Sequence, residues 1–274
     1  MPGSATLKAT ARTYRRLIVA GFRRQSTYRL AALGGLIANT TFGLLKVAIL
    51  FATVRAAGGE LKGYDIGSIS AYIWISQAML GSVNLFGRSD IATRIKDGGI
   101  VVDFLRPLDV QAASIATEFG QATFALIPRG LPTVSIGIFV VGMDLPSGPA
   151  GYALGVVSLL LGILVSCTTV YLVAAAGFWL VETRGVQVLY MVVSGFLAGL
   201  FIPIDLFPDW LRLVAECTPF PAMLMYPVDV LSGRVQGLEA LGLVALQLLW
   251  LAGTALVGHL LTHAGRRRLE VQGG

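Results

Sequence analysis

The chain has 274 residues, of which 55% are hydrophobic and 13% are charged, and its formal net charge is +6. A soluble domain carries about 25% charged residues, so this sequence has too little polar surface to cover a water-soluble globule. The apolar stretches are continuous rather than alternating, which indicates membrane-spanning helices and excludes a β-barrel. The basic excess is typical of the cytoplasmic loops of membrane proteins, and we do not expect nucleic-acid binding.

The first 29 residues show an amphipathic pattern. Apolar residues recur at spacings of three and four, so they share one face of a helix, and basic residues lie beside and behind that face. The pattern predicts an amphipathic helix in the inner membrane interface, with a merely basic tail as the alternative. The apolar face consists of Leu7, Ala11, Tyr14, Ile18 and Phe22.

Several stretches are long and apolar enough to cross a bilayer, which takes about 20 largely apolar residues. We therefore predict an all-α integral membrane protein in which residues 1–274 form a single transmembrane domain. Because the number of spans is even, both termini lie on the same side. The six predicted spans are 30–54, 66–87, 119–143, 150–179, 185–203 and 240–262.

Lysine and arginine are divided unequally between the two predicted sides of the membrane. Fifteen lie on the side of the termini and 4 on the other side. Positive residues concentrate in cytoplasmic loops, so the bias predicts cytoplasmic termini in a cell membrane. It also places residues 88–118 in the cytoplasm and residues 204–237 outside.

The predicted outer segment, residues 204–237, is proline-rich and too apolar for a free loop. Phe207, Trp210, Leu211 and Val214 predict a short amphipathic helix at the outer interface, with Trp210 as the interfacial anchor. A re-entrant course is the alternative for part of the segment, because non-helical backbone is tolerated where protein surrounds it.

The predicted cytoplasmic segment is charged and broken by glycines. Ser89 and Asp109 are expected to cap helices, and Gly98 is expected to end the helix that begins at Asp90. The result is a short helix and turn that exposes charged and apolar side chains and suits docking on a cytoplasmic partner; an interfacial loop without a partner is the alternative. The candidate contact residues are Asp90, Ile91, Arg94, Ile95 and Lys96.

Polar side chains inside the spans are the candidates for a translocation path. A charge at this depth costs at least about 2.5–3.5 kcal/mol, so Lys46 and Arg129 need an explanation. Arg129 either ties a proline-kinked helix to a neighbour or lines the path, and Lys46 either lines the path or extends its amine to the interface. The uncharged candidates, each also able to form an interhelical hydrogen bond, are Asn39, Gln77, Asn84 and Ser194.

The sequence contains none of the motifs that indicate ATP binding or hydrolysis by this chain. It has no P-loop, no Gly-x-Ser-x-Gly and no His-Glu-x-x-His. His259 and His263 are spaced as two metal ligands could be, but no third ligand is evident. We therefore expect no catalytic residue, no metal and no cofactor in this chain.

Four motifs carry a resemblance to a known family. They are RIKDGGIVVDFLRPLD (94–109), IPRGLP (127–132), GLFIPIDLFPDWL (199–211) and TPFP (218–221). With these motifs the chain resembles the permease subunits of ABC-2 type exporters, and among them the branch of viologen and drug exporters.

The resemblance implies a type V exporter fold with six spans, an N-terminal interfacial helix and a coupling helix between spans two and three. The coupling helix would dock on a separate ATP-binding subunit, which holds ATP and Mg²⁺. Two permeases, identical or different, and two ATPases would form the transporter in the bilayer. The implied function is ATP-driven outward movement of a drug-like, amphipathic or lipid-like substrate. The alternative is a stand-alone secondary transporter or channel-like protein of six spans, which would need no docking loop.

Overall fold

The computed structural model describes residues 4–27, 29–146, 148–180 and 182–272. Within these ranges the chain is helical and forms no strand, which confirms the all-α class. In chain order the helices are α1 (Ser4–Ser26), α2 (Arg29–Ala56), α3 (Ile66–Met79), α4 (Asp90–Lys96), α5 (Ile100–Phe104), α6 (Val110–Ala125), α7 (Leu131–Ile136), α8 (Pro149–Ala175), α9 (Arg184–Leu197), α10 (Asp209–Glu216), α11 (Phe220–Met223), α12 (Met225–Leu231) and α13 (Gly237–Gln272).

Four helical segments of the described chain are long and apolar enough to cross a membrane. They correspond to predicted spans one, three, four and six. The segment that corresponds to predicted span three begins nine residues earlier than predicted, because α6 starts at Val110. Asp109 caps α6, and its side chain accepts a hydrogen bond from the Ala112 amide at 2.7 Å. The four segments are Ala32–Ala56, Val110–Val141, Pro149–Phe178 and Gly237–Arg268.

Predicted spans two and five contain shorter helices. α3 and α9 have 14 residues each, or about 21 Å of helix, less than the roughly 30 Å of a bilayer core. α3 ends at Met79, and residues 80–89 continue without a helix, although the sequence predicted one span over 66–87. Protein surrounds α3, which is buried from Ile69 to Met79, so backbone beyond its end bonds to protein groups. The count of six spans remains a prediction.

The second long segment, Val110–Val141, departs from regular α-helix around its prolines. π-helical turns occupy Leu126–Gly130 and Gly137–Val141, on either side of α7. Pro128 and Pro132 lack amide hydrogens, so they break the regular bonding pattern of the helix. Single π turns occur often at functional sites, and the first of these turns contains Arg129.

The N-terminal helix α1 packs along α6. Gly21 lies against the Thr117 carbonyl and Gly120 against the Ile18 carbonyl, so the two backbones approach closely. Phe22 contacts Phe124 edge-on at 5.1 Å between ring centroids. Tyr14, Ile18 and Phe22 of the predicted apolar face are half-buried, Ala11 is exposed, and the side chain of Leu7 lies outside the described residues. The face thus covers another helix, and its position in the membrane interface remains a prediction.

The predicted outer segment is partly enclosed by the protein. In α10 the side chain of Trp210 is 68% exposed, as expected for an interfacial anchor, whereas Phe207 just before it is buried. Residues 221–230, which include most of α11 and α12, are buried throughout against α8 and α3. This enclosed course agrees with the re-entrant alternative better than with a surface loop.

Candidate functional site

A cavity of about 620 Å³ lies on the predicted cytoplasmic side, and we call it the inner cavity. Its walls come from α1, residues 80–89, α4, α6, α8 and the start of α9. Exposed charges of the predicted cytoplasmic segment, Asp90 and Lys96, line the cavity, and Arg129 of the second long segment lines it as well. The fold therefore brings predicted contact residues and predicted path residues to one space.

The inner cavity exists because α3 stops early. Residues 80–89 form turns, with Gly87 at a φ of +67°, where a longer helix would have filled the space. Asn84 holds these turns: its side-chain amide donates to the Arg88 carbonyl at 2.7 Å, and its side-chain oxygen accepts from the Phe86 amide at 3.2 Å. Asn84 lines the cavity as predicted, and it also shapes the cavity wall.

Arg129 is held between two glycines, Gly35 of α2 and Gly81 just after α3. A side chain at Gly35 would overlap the guanidinium group, and a Cβ at Gly81 would lie 3.3 Å from the Arg129 Nε. We call this arrangement the glycine slot. Arg129 donates one hydrogen bond of 3.4 Å to the Asn39 side-chain oxygen, while its buried Nε has no hydrogen-bond partner among the described residues.

Two uncharged path candidates lie beside this arginine. The Asn39 side-chain amide donates to the backbone carbonyl of Gln77 at 2.8 Å, so Asn39 joins α2 to α3. The side-chain oxygen of Gln77 is buried and has no hydrogen-bond partner in the described part of the chain. Asn39, Gln77 and Arg129 thus form a connected group, although Asn39 and Gln77 do not line the cavity.

The remaining path candidates, Lys46 and Ser194, lie away from the inner cavity. The Lys46 amine donates to the Leu200 carbonyl and lies 5.5 Å from the centroid of the Tyr72 ring. Ser194 is buried and donates to the Leu85 carbonyl at 3.1 Å. Both side chains bond backbone carbonyls of neighbouring segments, so in this structure they join helices. The two predicted roles of Lys46, lining the path and extending its amine to the interface, remain predictions.

The two isoleucines of α4 do not offer the contact surface that the sequence predicted for them. Ile91 is 2% exposed and Ile95 is 6% exposed, and both belong to a core cluster with Tyr171 of α8 and Phe178. The correction has a simple cause: residues four apart share one helix face, and in α4 that face packs on α8. The sequence pattern does not distinguish a helix face that contacts a partner protein from one that packs within the same chain.

The charged residues of α4 form ion pairs with other segments. Asp90 pairs with Arg24 of α1, and Arg94 pairs with Asp103 of α5. Lys96 contacts Glu182 at 2.8 Å, and this hydrogen bond raises the pKa of Lys96. These pairs connect the predicted cytoplasmic segment to α1 and to Glu182, which lies just before α9.

The exposed apolar surface of this segment lies on α5 and the residue that follows it. Val101 is 50% exposed, Val102 is 55% exposed and Leu105 is 81% exposed, and we call these three residues the apolar patch. The sequence marks residues 100–105 as apolar, yet only the structure separates buried Ile100 from its exposed neighbours.

Three further residues of the site were missed by sequence reasoning. Ser82 lines the inner cavity, is 4% exposed, and its hydroxyl has no hydrogen-bond partner among the described residues. Gly35 and Gly81 form the slot around Arg129. A lone serine and single glycines in apolar runs carry no sequence signal, because their role depends on which helices face each other.

The histidine pair sits at the inner end of α13. The rings of His259 and His263 are 4.5 Å apart, and His259 Nδ1 lies 3.8 Å from an Asp109 carboxylate oxygen. The described residues contain no group of three or more side chains that could hold a metal ion.

The fold and the site define a multi-pass helical membrane protein with a polar internal cavity. The chain matches the family model described as ABC-2 family transporter protein over residues 37–273, and it belongs to this family. It is thus an ABC-2 type permease, the membrane component of a transport system. A search of curated proteins found no match. The matched range begins inside α2, so it does not include α1.

Proposed function

We propose that this chain is the permease subunit of an ATP-driven exporter in the cell membrane, with six spans and cytoplasmic termini. A separate ABC subunit binds ATP and Mg²⁺, and a second permease, identical or different, completes the transporter. The substrate is drug-like, amphipathic or lipid-like. The observation that carries this proposal is the apolar patch, which lies on a segment that also forms a wall of the inner cavity.

The apolar patch supports docking because three exposed apolar side chains on one short segment are typical of a protein contact. α5 is firmly joined to α4: Ile100 is fully buried beside the core of α4, and the buried carboxylate of Asp103 pairs with Arg94 and, at 3.5 Å, with Arg106. A subunit that moves α5 therefore also moves α4, and through Ile91 and Ile95 it acts on α8.

The inner cavity supports the direction of transport. It is bordered by charges of the predicted cytoplasmic segment, while the buried residues 221–230 fill the protein on the predicted outer side. This arrangement suits a state that accepts substrate from the inside. ATP-driven closure of the partner subunits would then open the outer side.

The test is to co-express the chain with its ATP-binding subunit and to replace Val101 and Leu105 with serine. We expect the double variant to lose co-purification of the ATPase and substrate-stimulated ATP hydrolysis, while its folded yield is unchanged because both positions are exposed. Leu238→Ser is the matched control, since Leu238 is 85% exposed on the opposite predicted side. Normal ATPase association of the double variant would contradict the docking site. Transport by the chain alone would favour the stand-alone transporter.

A further inference from the structure

We propose that the inner cavity contains a binding site for the anionic headgroup of an amphipathic substrate, formed by Arg129 and Ser82. The proposal deepens the proposed function, because it names the chemical class that the permease would accept. It rests on the guanidinium of Arg129, which forms no ion pair among the described residues, on the glycine slot and on the apolar residues beside them.

The charge of Arg129 is uncompensated within the described residues. Its guanidinium is permanently charged, and no carboxylate of the described chain lies within ion-pair distance of it. The cavity acid on the same helical segment, Glu118, is 11 residues away, or roughly 16 Å along a helix, and accepts a hydrogen bond from Ser89. Asp90 and Lys96 already pair with Arg24 and Glu182. A ligand must therefore supply the negative charge.

The glycine slot keeps the guanidinium at the cavity. Gly35 and Gly81 leave room for a flat group and for little else, so Arg129 is confined between α2 and the turn after α3. The Asn39 side-chain oxygen accepts one hydrogen bond of 3.4 Å from the guanidinium, whose other N–H groups have no hydrogen-bond partner among the described residues. A planar cation fixed in this way is suited to bind carboxylate or phosphate oxygens with two parallel hydrogen bonds.

Ser82 supplies a second, independent sign of a ligand. Its side chain is 4% exposed, lines the cavity, and has no hydrogen-bond partner among the described residues. A buried hydroxyl without a partner is costly unless something bonds it. Ser82 follows Gly81 directly, so an anion held by Arg129 would lie near a hydroxyl donor as well.

The lining beside these groups indicates an apolar tail. Leu80, Val83, Phe86 and Ala122 also line the cavity, and Phe86 is 52% exposed. A phosphate or carboxylate on an alkyl chain would thus satisfy both parts of the site. A dication of the viologen type would place positive charge near the uncompensated Arg129, so this structure disfavours the substrate class suggested by the viologen branch.

The test measures binding to the full chain in phosphatidylcholine nanodiscs by titration calorimetry, without nucleotide. Three probes share one tail: hexyl phosphate, hexyl glucoside and hexyltrimethylammonium; inorganic phosphate is the fourth.

We expect hexyl phosphate to bind at least about tenfold more tightly than the other two hexyl compounds, as charge-assisted hydrogen bonds predict. It should also exceed inorganic phosphate by about tenfold, because the tail is buried. Equal binding of all three hexyl compounds, or preference for the cation, would overturn the proposal. Equal binding of hexyl phosphate and inorganic phosphate would contradict the proposed apolar site for the tail.

Variants then assign the residues. Arg129→Gln should abolish the preference for hexyl phosphate, Arg129→Lys should keep part of it, and Ser82→Ala should weaken binding about threefold, as loss of one hydrogen bond predicts. Arg55→Gln, which removes an exposed arginine outside the cavity, should change nothing. If Arg129→Gln does not fold, the relative affinities of the hexyl probes for the unsubstituted chain still test the proposal.

This test is separate from that of the proposed function, because it needs neither ATP nor a partner subunit. Binding of hexyl phosphate as expected, without any ATPase that associates with the chain, would refute ATP-driven export and leave the binding site standing. ATP-driven export of cationic amphiphiles, without binding of hexyl phosphate, would refute the headgroup assignment and leave export standing.

Discussion

Two arginines, one on each predicted side of the membrane, have opposite surroundings. On the outer side Arg234 donates to Asp229 at 2.9 Å, pairs with Asp205, and stacks over the Tyr64 ring at 4.4 Å from the ring centroid. On the inner side Arg129 has one long hydrogen bond to an amide oxygen and no ion pair among the described residues. The charge of Arg234 is paired with carboxylates of the protein, and the charge of Arg129 is not.

The difference indicates which side of this protein is built to stay closed. Arg212 lies 3.4 Å from Asp205, and the Tyr64 hydroxyl donates to the same carboxylate at 3.1 Å. Tyr64, Asp205, Arg212, Asp229 and Arg234, which we call the outer ion cluster, join the start of α3 to the segment around α10 and α12. Opening the outer side would break several of these contacts, whereas Arg129 at the inner cavity forms no ion pair among the described residues that would have to break.

The first prediction removes the cation of the outer ion cluster. Arg234→Gln should lower the free energy of unfolding by about 3 kcal/mol, because Asp205 and the buried Asp229 are left without their shared partner. Thermal unfolding of the purified chain measures this loss. Arg212→Gln is the control: the Arg212 side chain is 48% exposed, so less than about 1 kcal/mol is expected. Equal losses of unfolding free energy in Arg234→Gln and Arg212→Gln would contradict the central role of Arg234 in the cluster.

The second prediction disturbs the glycine slot. Gly35→Ala should cost about 1–3 kcal/mol of stability by overpacking and should also weaken binding of hexyl phosphate, because the new methyl group displaces the guanidinium. Gly34→Ala is a matched control one residue away. No atom of the described chain would lie within 4 Å of its methyl group, so stability should rise slightly through helix propensity. Unchanged anion binding in Gly35→Ala would contradict the role of the slot.

The third prediction compares the inner arginine directly with the outer one. Arg129→Gln should change the free energy of unfolding by less than about 1 kcal/mol, because it removes one long hydrogen bond together with an uncompensated charge. Transport should nevertheless be lost or change its substrate preference. A loss of stability as large as that of Arg234→Gln, with an unchanged substrate profile, would make Arg129 a structural residue.

The fourth prediction concerns the pH dependence of stability. Burial raises the pKa of Asp229 to about 7 against the opposing effect of Arg234, whereas an unfolded aspartate titrates near 3.9. Between these pH values the folded state binds more protons, so stability should decrease as pH rises from about 4 through 7. Asp229→Asn should reduce this slope in unfolding experiments.

An aspartate in the opposite situation provides the control. The side-chain hydrogen bond from Ser68 lowers the pKa of Asp65, which caps α3. Its contribution to stability is present above the unfolded pKa of about 3.9 and is lost at lower pH. Asp65→Asn should therefore leave the slope between about pH 4 and 7 in place. A slope of unchanged size in Asp229→Asn would place its origin in another group.

Local features of the chain were readable from the sequence because neighbouring residues decide them. The sequence predicted that α4 ends at Gly98, which adopts a φ of +75°, and that Asp109 caps α6. It also predicted the helical class and the family, because composition and short motifs carry both. These inferences need only propensity, capping and hydropathy along the chain.

The tertiary structure decided everything that depends on which surfaces face each other. Hydropathy does not distinguish burial in lipid from burial in protein, so α3 could be shorter than a bilayer and Ile91 could face α8. The sequence alone identified Arg129 as a costly charge. Only the packing of α2, the end of α3 and the second long segment left that charge without a carboxylate and facing a cavity, because ion pairing depends on distances across helices rather than along them.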